Sequence, residues 1–272
     1  MQQIRRFTPI QRGFHLILML TFVIQSATGL ARMYVGTGWG KQLTDLFGGY
    51  PNTLTIHKWV GLLMLFAFII HLIYILATIN WRGLPGSIYG PDSLIPRLED
   101  IGQSIRHVGW ILGLNGPPRF DRWAYWEKFD YWAVFWGICL LGGTGLILYN
   151  PVISSRFIPG WALNVLLWIH RIEATLAMAH VFLIHFFIGH LRRENFPMDL
   201  VMFEGGIDLE KARHERPDWV ERMENEGALQ NVLVAKSTLS LRVIYHVFGF
   251  AIVIGCLYLL VNAFLNAHRL MG

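Results

Sequence analysis

Residues 161–191 read WALNVLLWIHRIEATLAMAHVFLIHFFIGHL. A bilayer core takes about 20 residues of helix, and this run exceeds that length. Arg171 and Glu173 are its formally charged residues, and His170, His180, His185 and His190 lie along it. Charged groups at the bilayer centre are costly, so the breaks in such runs mark the membrane surfaces. Reading outward on that rule places helices at roughly 13–33, 55–79, 129–149, 161–191 and 241–265. The whole chain of 272 residues agrees: it is 54 % hydrophobic and 15 % charged, with mean hydropathy +0.41. A soluble chain usually carries about a quarter charged residues. Eleven Trp suit membrane–water interfaces.

The net charge of +5 would suggest nucleic acid in a soluble protein, but here the basic residues sit in loops, where topology explains them. With the N-terminus cytoplasmic, the inner segments hold Arg5, Arg6 and Arg12, five Arg in 80–126 and seven Lys/Arg in 192–240. The outer segments hold Lys41, Arg156 and Arg269, giving fifteen against three. This positive-inside bias puts the N-terminus in the cytoplasm and the C-terminus outside, in the inner membrane of a bacterium. Arg5, Arg6 and Arg12 before an apolar run resemble a signal peptide, but without a convincing small-residue cleavage site and with His15 in the run it reads as a retained helix. Cys139 and Cys256 form no CxxC pair, which excludes c-type haem attachment and iron–sulfur or zinc frameworks. GTGWG and GGYPN in 34–52 read as turns, 94–112 as a short helix, and IDLEKARHERPDWVERMEN as an amphipathic helical pattern.

Histidine carries the chemistry. Of eleven, His15, His57, His71, His170, His180, His185, His190 and His246 lie in or at the ends of apolar helices. An ionisable residue in a membrane helix is functional by default. One such imidazole is ordinarily explained by a hydrogen bond to a neighbouring helix; eight are not. His57 and His71 are fourteen apart and His170 and His185 fifteen apart. At 100° per residue these steps end about 40° short of a full turn and about 60° past it, so each pair shares a helix face, roughly 21–22 Å apart along the axis. The second and fourth helices run the same way. His57 and His170 therefore share a depth near the outer surface, and His71 and His185 another near the inner one. Two bis-imidazole haem sites stacked across the membrane make an electron path. Gly61, on the face of His57, leaves room for a porphyrin, as do Gly29, Gly142, Gly143 and Gly145; close helix packing explains such residues equally well.

His15 lies at the same inner depth as His71 and His185. RGFHLILMLTFVIQSATGL, HKWVG and IHRIEATLAMAHVFLIH, with the tail FEGGIDLEKARHERPDWVERMEN, resemble the first, second and fourth helices and the C-terminus of the cytochrome b (gamma) subunits of membrane-bound formate dehydrogenase and their hydrogenase and thiosulfate-reductase relatives. The resemblance covers about residues 5–225. It implies an outer haem b on His57 and His170 and an inner haem b on His15 and His185. Spacing alone favours His71 over His15; under the resemblance His71 becomes a propionate or quinone contact, or a ligand to an additional haem.

Three features depart from the family. Ala124 stands where a loop Asn lies near the quinone, Ala174 replaces a Gly after the first fourth-helix ligand, and a fifth helix with His246 follows the family's four. Arg171, Arg12 and Arg32 are candidates for propionate pairing or plain interfacial anchors, and Glu173 for orienting His170 or pairing with Arg. Trp123, Tyr125, Trp126 and Glu127 form either a quinone-side cluster or an aromatic belt.

The expected fold is all-α and membrane-integral: a four-helix di-haem domain (1–193), a cytoplasmic amphipathic segment (194–240), and a fifth helix with a short outer tail (241–272) suited to assembly. The expected function is electron transfer between a quinone/quinol pool, met on the inner side near His185, and an extrinsic iron–sulfur or multihaem cytochrome c subunit outside. No P-loop, nucleotide-binding motif or catalytic triad occurs, so no catalytic residue is expected in this chain. A self-contained reductase of a small outer acceptor, and a haem-free transporter with a histidine proton relay, are the alternatives.

Overall fold

The structure is a computed structural model and describes residues 2–270. Five of its helices are long and apolar enough to cross a membrane. They are α1 (Pro9–Met33), α3 (Tyr50–Thr78), α5 (Tyr125–Tyr149), α6 (Gly160–Ala179, continuing as π-helix to Leu191) and α9 (Leu239–Asn266). Each matches its sequence expectation to within a few residues. On α3, Trp59, Phe66 and Ile73 are about three-fifths exposed. Large apolar side chains standing clear on a helix of this hydropathy require lipid as solvent.

The stretch expected as turns between α1 and α3 contains a helix, α2 (Gly38–Leu46). Thr37 caps it, its hydroxyl accepting from Gly40 N at 3.0 Å. Gly40 is required there, since a Cβ would fall 1.8 Å from the Tyr34 carbonyl oxygen. The short helix expected at 94–112 is α4 (Leu98–Ile111). The amphipathic pattern after α6 forms two helices, α7 (Leu209–Glu215) and α8 (Pro217–Asn225), divided where Pro217 starts the second.

The chain divides into two compact units. Gly13–Leu72, Val134–Asp199 and Val243–Gly272 make the helical one, which holds every membrane histidine named above. On α9 the buried residues Gly249, Val253, Cys256 and Leu259 recur at helical spacing, and the Tyr34 hydroxyl donates to Ala263 O at 2.8 Å. Val247, Ile254 and Phe264 face outward.

Met1–Arg12, Ile73–Ala133 and Leu200–Arg242 make the other unit. A three-stranded antiparallel sheet runs through it, with β1 (Gln2–Arg5) between β2 (Gly206–Asp208) and β3 (Leu233–Ala235). Ile4 packs there with Val201, Ile207, Trp219, Val220 and Leu229. Gly205, at φ 86°, turns the chain into β2, and its carbonyl accepts from Arg6 N and Phe7 N at 2.8 and 3.0 Å.

Ion pairs tie the three segments of this unit together. Glu127 accepts from Arg6 at 2.8 Å, from Arg216 at 2.9 Å and from the Ala124 amide at 2.9 Å. Arg222 bridges Asp121 and Asp92 at 2.8 and 3.0 Å, and Lys128 meets Asp100 at 2.8 Å in a buried pair. Arg6 and Arg216 are each 6 % exposed at the side chain. Glu127→Ala removes the carboxylate that both guanidiniums share, and removing one partner of a buried pair costs about 3–5 kcal/mol. We therefore expect a clear drop in melting temperature in detergent and faster proteolysis of residues 200–242. Burial pushes the Asp92 carboxyl up, but the hydrogen bond and charge of Arg222, then of Arg122, outweigh it and hold it below the usual range. A depressed carboxylate stabilises the fold above its unfolded pKa and loses that contribution as pH falls through the lower folded value. Protease protection of this unit should thus weaken below about pH 4, and Asp92→Asn should flatten part of that dependence.

Candidate functional site

Two pairs of imidazoles face each other in the helical unit. His57 of α3 and His170 of α6 have ring centres 6.5 Å apart with planes at 76°. His15 of α1 and His185 of the π segment have ring centres 6.4 Å apart with planes at 39°. Metal–imidazole bonds of about 2 Å, plus about 1 Å from each nitrogen to its ring centre, put two axial imidazoles on one iron about 6 Å apart, centre to centre. Both pairs have that spacing.

The His57–His170 pair is framed by two Thr-Gly steps. Thr28 Oγ1 lies 2.9 Å from His57 Nδ1, and Thr144 Oγ1 2.8 Å from His170 Nδ1. The next residue in each case is Gly. A Cβ on Gly29 would stand 3.4 Å from His57 Cε1, and one on Gly145 3.5 Å from His170 Cε1. The glycines let the rings lie close to α1 and α5 while the threonines take their inner nitrogens.

Other small residues divide between roles. Gly61 does not open porphyrin space: a Cβ there would meet Gln25 Nε2 at 2.8 Å, and that amide donates to the His57 carbonyl at 2.7 Å. Gly142 admits Leu65, which would stand 3.0 Å from an added Cβ, so it serves helix packing.

A π-helix sets the second pair. His180–His185 and Phe187–Leu191 are π-helical, with hydrogen bonds closing over five residues instead of four. A π turn holds roughly 4.4 residues, about 80° each, so ten α steps and five π steps carry His185 to about 40° short of His170's face, where a uniform α-helix puts it about 60° past. The five-residue spacing of His185 and His190 fits the same turn, and their rings lie 6.4 Å apart. His190, counted in sequence only as one of eight, is thus a neighbour of the second pair. His71 meets the Phe14 ring edge-on at 5.0 Å, and His246 stacks on Phe250 of its own helix. Phe22 and Phe182 pack at 6.0 Å on the helices that carry His15 and His185.

The side chains suggested as ligand partners separate. Glu173 faces Gly137, whose added Cβ would stand 3.7 Å from Oε1; the group at His170 Nδ1 is Thr144. Arg171 lies over the Trp168 ring at 5.7 Å, and Arg12 donates to the Phe203 carbonyl. Arg32 keeps a buried Nε with no hydrogen-bond partner among the described residues, which suits an acidic group brought by a cofactor. In the other unit, Glu127 and Trp123 belong to the ion-pair network, Trp123 packing under Arg6 at 4.9 Å. Tyr125 and Trp126 surround His107, with the Tyr125 hydroxyl 3.0 Å from its Nδ1.

Two imidazoles alone do not hold a bare transition-metal ion. They fit an iron whose other four positions are filled by a porphyrin, and the buried Arg32 Nε lies near the His57–His170 pair. The residues present therefore fit haem b at both pairs.

Comparison with known proteins gives the family. Residues 6–202 match the family model for prokaryotic cytochrome b561. The chain is 26 % identical over 223 residues to the formate dehydrogenase cytochrome b556 subunit of Haemophilus influenzae, covering 79 % of this chain and 81 % of that protein. It is 24 % identical over 215 residues to the formate dehydrogenase cytochrome b556(fdo) subunit of Escherichia coli K12, covering 79 % and 90 %. These relatives are of the kind that the helix motifs resemble. The family match spans most of the chain, which therefore belongs to the prokaryotic cytochrome b561 family, and with that membership come haem b and electron transfer in a membrane.

Proposed function

We propose that this chain is the membrane subunit of an oxidoreductase complex, binding two haem b groups and passing electrons between the quinone/quinol pool and an extrinsic redox subunit on the outer face. The observation that carries the reading is the presence of two imidazole pairs with ring centres 6.5 and 6.4 Å apart. His57 and His170 ligate the outer haem, and His15 and His185 the inner one. Haem b supplies a one-electron couple that stays low-spin when both axial positions are taken by imidazole. The chain holds the imidazoles in facing positions and surrounds them with apolar side chains.

The excess of Lys and Arg in the segments on the N-terminal side of the membrane supports a cytoplasmic N-terminus, and on that orientation the His57–His170 pair lies outward. The names of the relatives support a partner that oxidises formate or a comparable small donor; an iron–sulfur protein or a multihaem cytochrome c is the carrier we propose for it. Quinone is met at the His15–His185 end, where His71 and His190 add polar groups. The outward face of α9, with Val247, Ile254 and Phe264, serves assembly with the partner's membrane anchor.

Pyridine haemochrome analysis of the purified protein tests the reading. We expect two haem b per chain. His57→Ala and His170→Ala should each lose one, His15→Ala and His185→Ala the other, while His71→Ala and His246→Ala keep both. One haem or none in the unaltered protein would refute the scheme, and loss through His71 with retention through His15 would move the inner ligand. A quinone-analogue inhibitor should shift the spectrum of the haem lost in His185→Ala; a shift confined to the other haem would relocate the quinone.

A further inference from the structure

The two hydroxyls beside the outer pair have a fixed hydrogen-bond polarity. Thr28 Oγ1 lies 2.7 Å from the Ile24 carbonyl and Thr144 Oγ1 2.7 Å from the Leu140 carbonyl, each one turn back along its own helix. A carbonyl oxygen only accepts, so each hydroxyl spends its single proton there. What remains toward the imidazole is a lone pair. At 2.9 and 2.8 Å, His57 Nδ1 and His170 Nδ1 must therefore each bring the proton. The proton on Nδ1 leaves the Nε2 lone pair free as the iron ligand.

The same bond fixes each ring's rotation. Thr28 and His57 sit on different helices, as do Thr144 and His170, so each hydrogen bond ties an imidazole to a neighbouring backbone through a hydroxyl anchored at both ends. Gly29 and Gly145 stand 3.4 and 3.5 Å, at the Cβ position, from the Cε1 atoms of the same rings. The outcome is two planes crossed at 76°, against 39° for His15 and His185.

We infer that Thr28 and Thr144 are positioning residues that keep His57 and His170 in the Nδ1–H tautomer with their planes crossed, and so make the outer haem electronically distinct from the inner one. The inference rests on the assignment of haem ligands above. Axial imidazole planes that lie near-parallel split the two iron d orbitals of π symmetry toward the imidazoles, dxz and dyz; crossed planes bring those two orbitals towards degeneracy. The ferric outer haem then has a strongly anisotropic low-spin signal with one large g value. The inner haem, with smaller crossing, has an ordinary rhombic one.

Electron paramagnetic resonance of the oxidised, haem-loaded protein tests this. We expect two low-spin signals, of which the strongly anisotropic one disappears in His57→Ala. If neither signal depends on His57, the ligand assignment fails, a result separate from the fate of the threonines. In Thr28→Val/Thr144→Val the large g value should fall towards the rhombic range and the outer midpoint potential should shift, with the inner signal unchanged. Thr28→Ser/Thr144→Ser should restore the unaltered spectrum. A double valine variant with full haem content and an unmoved anisotropic signal would overturn the inference. Should valine expel the haem, the serine variant decides: retention with the original signal supports the hydroxyl's role, and loss there too would overturn it.

Discussion

A neutral imidazole in hydrocarbon carries one donor and one acceptor nitrogen, and leaving either without a partner is expensive. In this protein the Nδ1 atoms of His57 and His170 are met by Thr28 and Thr144, and the two ring centres stand 6.5 Å apart. Much of the helical unit follows from that arrangement. Thr28 must lie opposite His57, so α1 and α3 are held in register, and the Gln25 amide on the His57 carbonyl reinforces it from one turn away. Thr144 does the same for α5 and α6. Gly29, Gly61 and Gly145 are the openings through which these contacts are made. The two helix pairs thus present their histidines to one another with little dependence on apolar packing, which gains little where lipid tails are as apolar as the helix surface.

The second unit solves a different problem. Its segments lie far apart in sequence, and the buried core around Ile4 and Trp219 is small. Paired charges supply the connection. Arg6, Arg122, Arg216 and Arg222 come from three separate segments and converge on Glu127, Asp121 and Asp92. The same arginines are four of the fifteen basic residues whose bias argues for a cytoplasmic N-terminus. An electrostatic signal for topology and a structural network can reside in the same residues, since both require basic side chains in short segments beside membrane helices.

The five membrane helices were legible because length and apolarity alone define them. The facing of His57 and His170 was legible in depth from helix spacing. The phase of His185 was not, because the α-helical wheel does not anticipate a π turn; spacings of five between His180, His185 and His190 were the available sign. Thr28 and Thr144 were hidden for a simpler reason: a threonine in an apolar helix ordinarily bonds its own backbone, and both of these do so as well. The repeated Thr-Gly step on α1 and α5 is the signal that could have marked them. The strands were beyond reach, since three or four residues carry no usable alternation and β1 pairs with segments about two hundred residues away. Glu127, read in sequence as part of either a quinone-side cluster or an aromatic belt, is the hub of an ion-pair network, a role that needs the positions of Arg6 and Arg216.

The central claim is that His57 with His170, and His15 with His185, are axial ligand pairs. An experimental structure of the protein purified with its native haem tests it most directly. The account predicts one iron bonded to Nε2 of His57 and of His170, with Nδ1 of each on its threonine, and a second iron between His15 and His185. An iron bonded to His71, or a His57–His170 pair bridged by no iron, would contradict it.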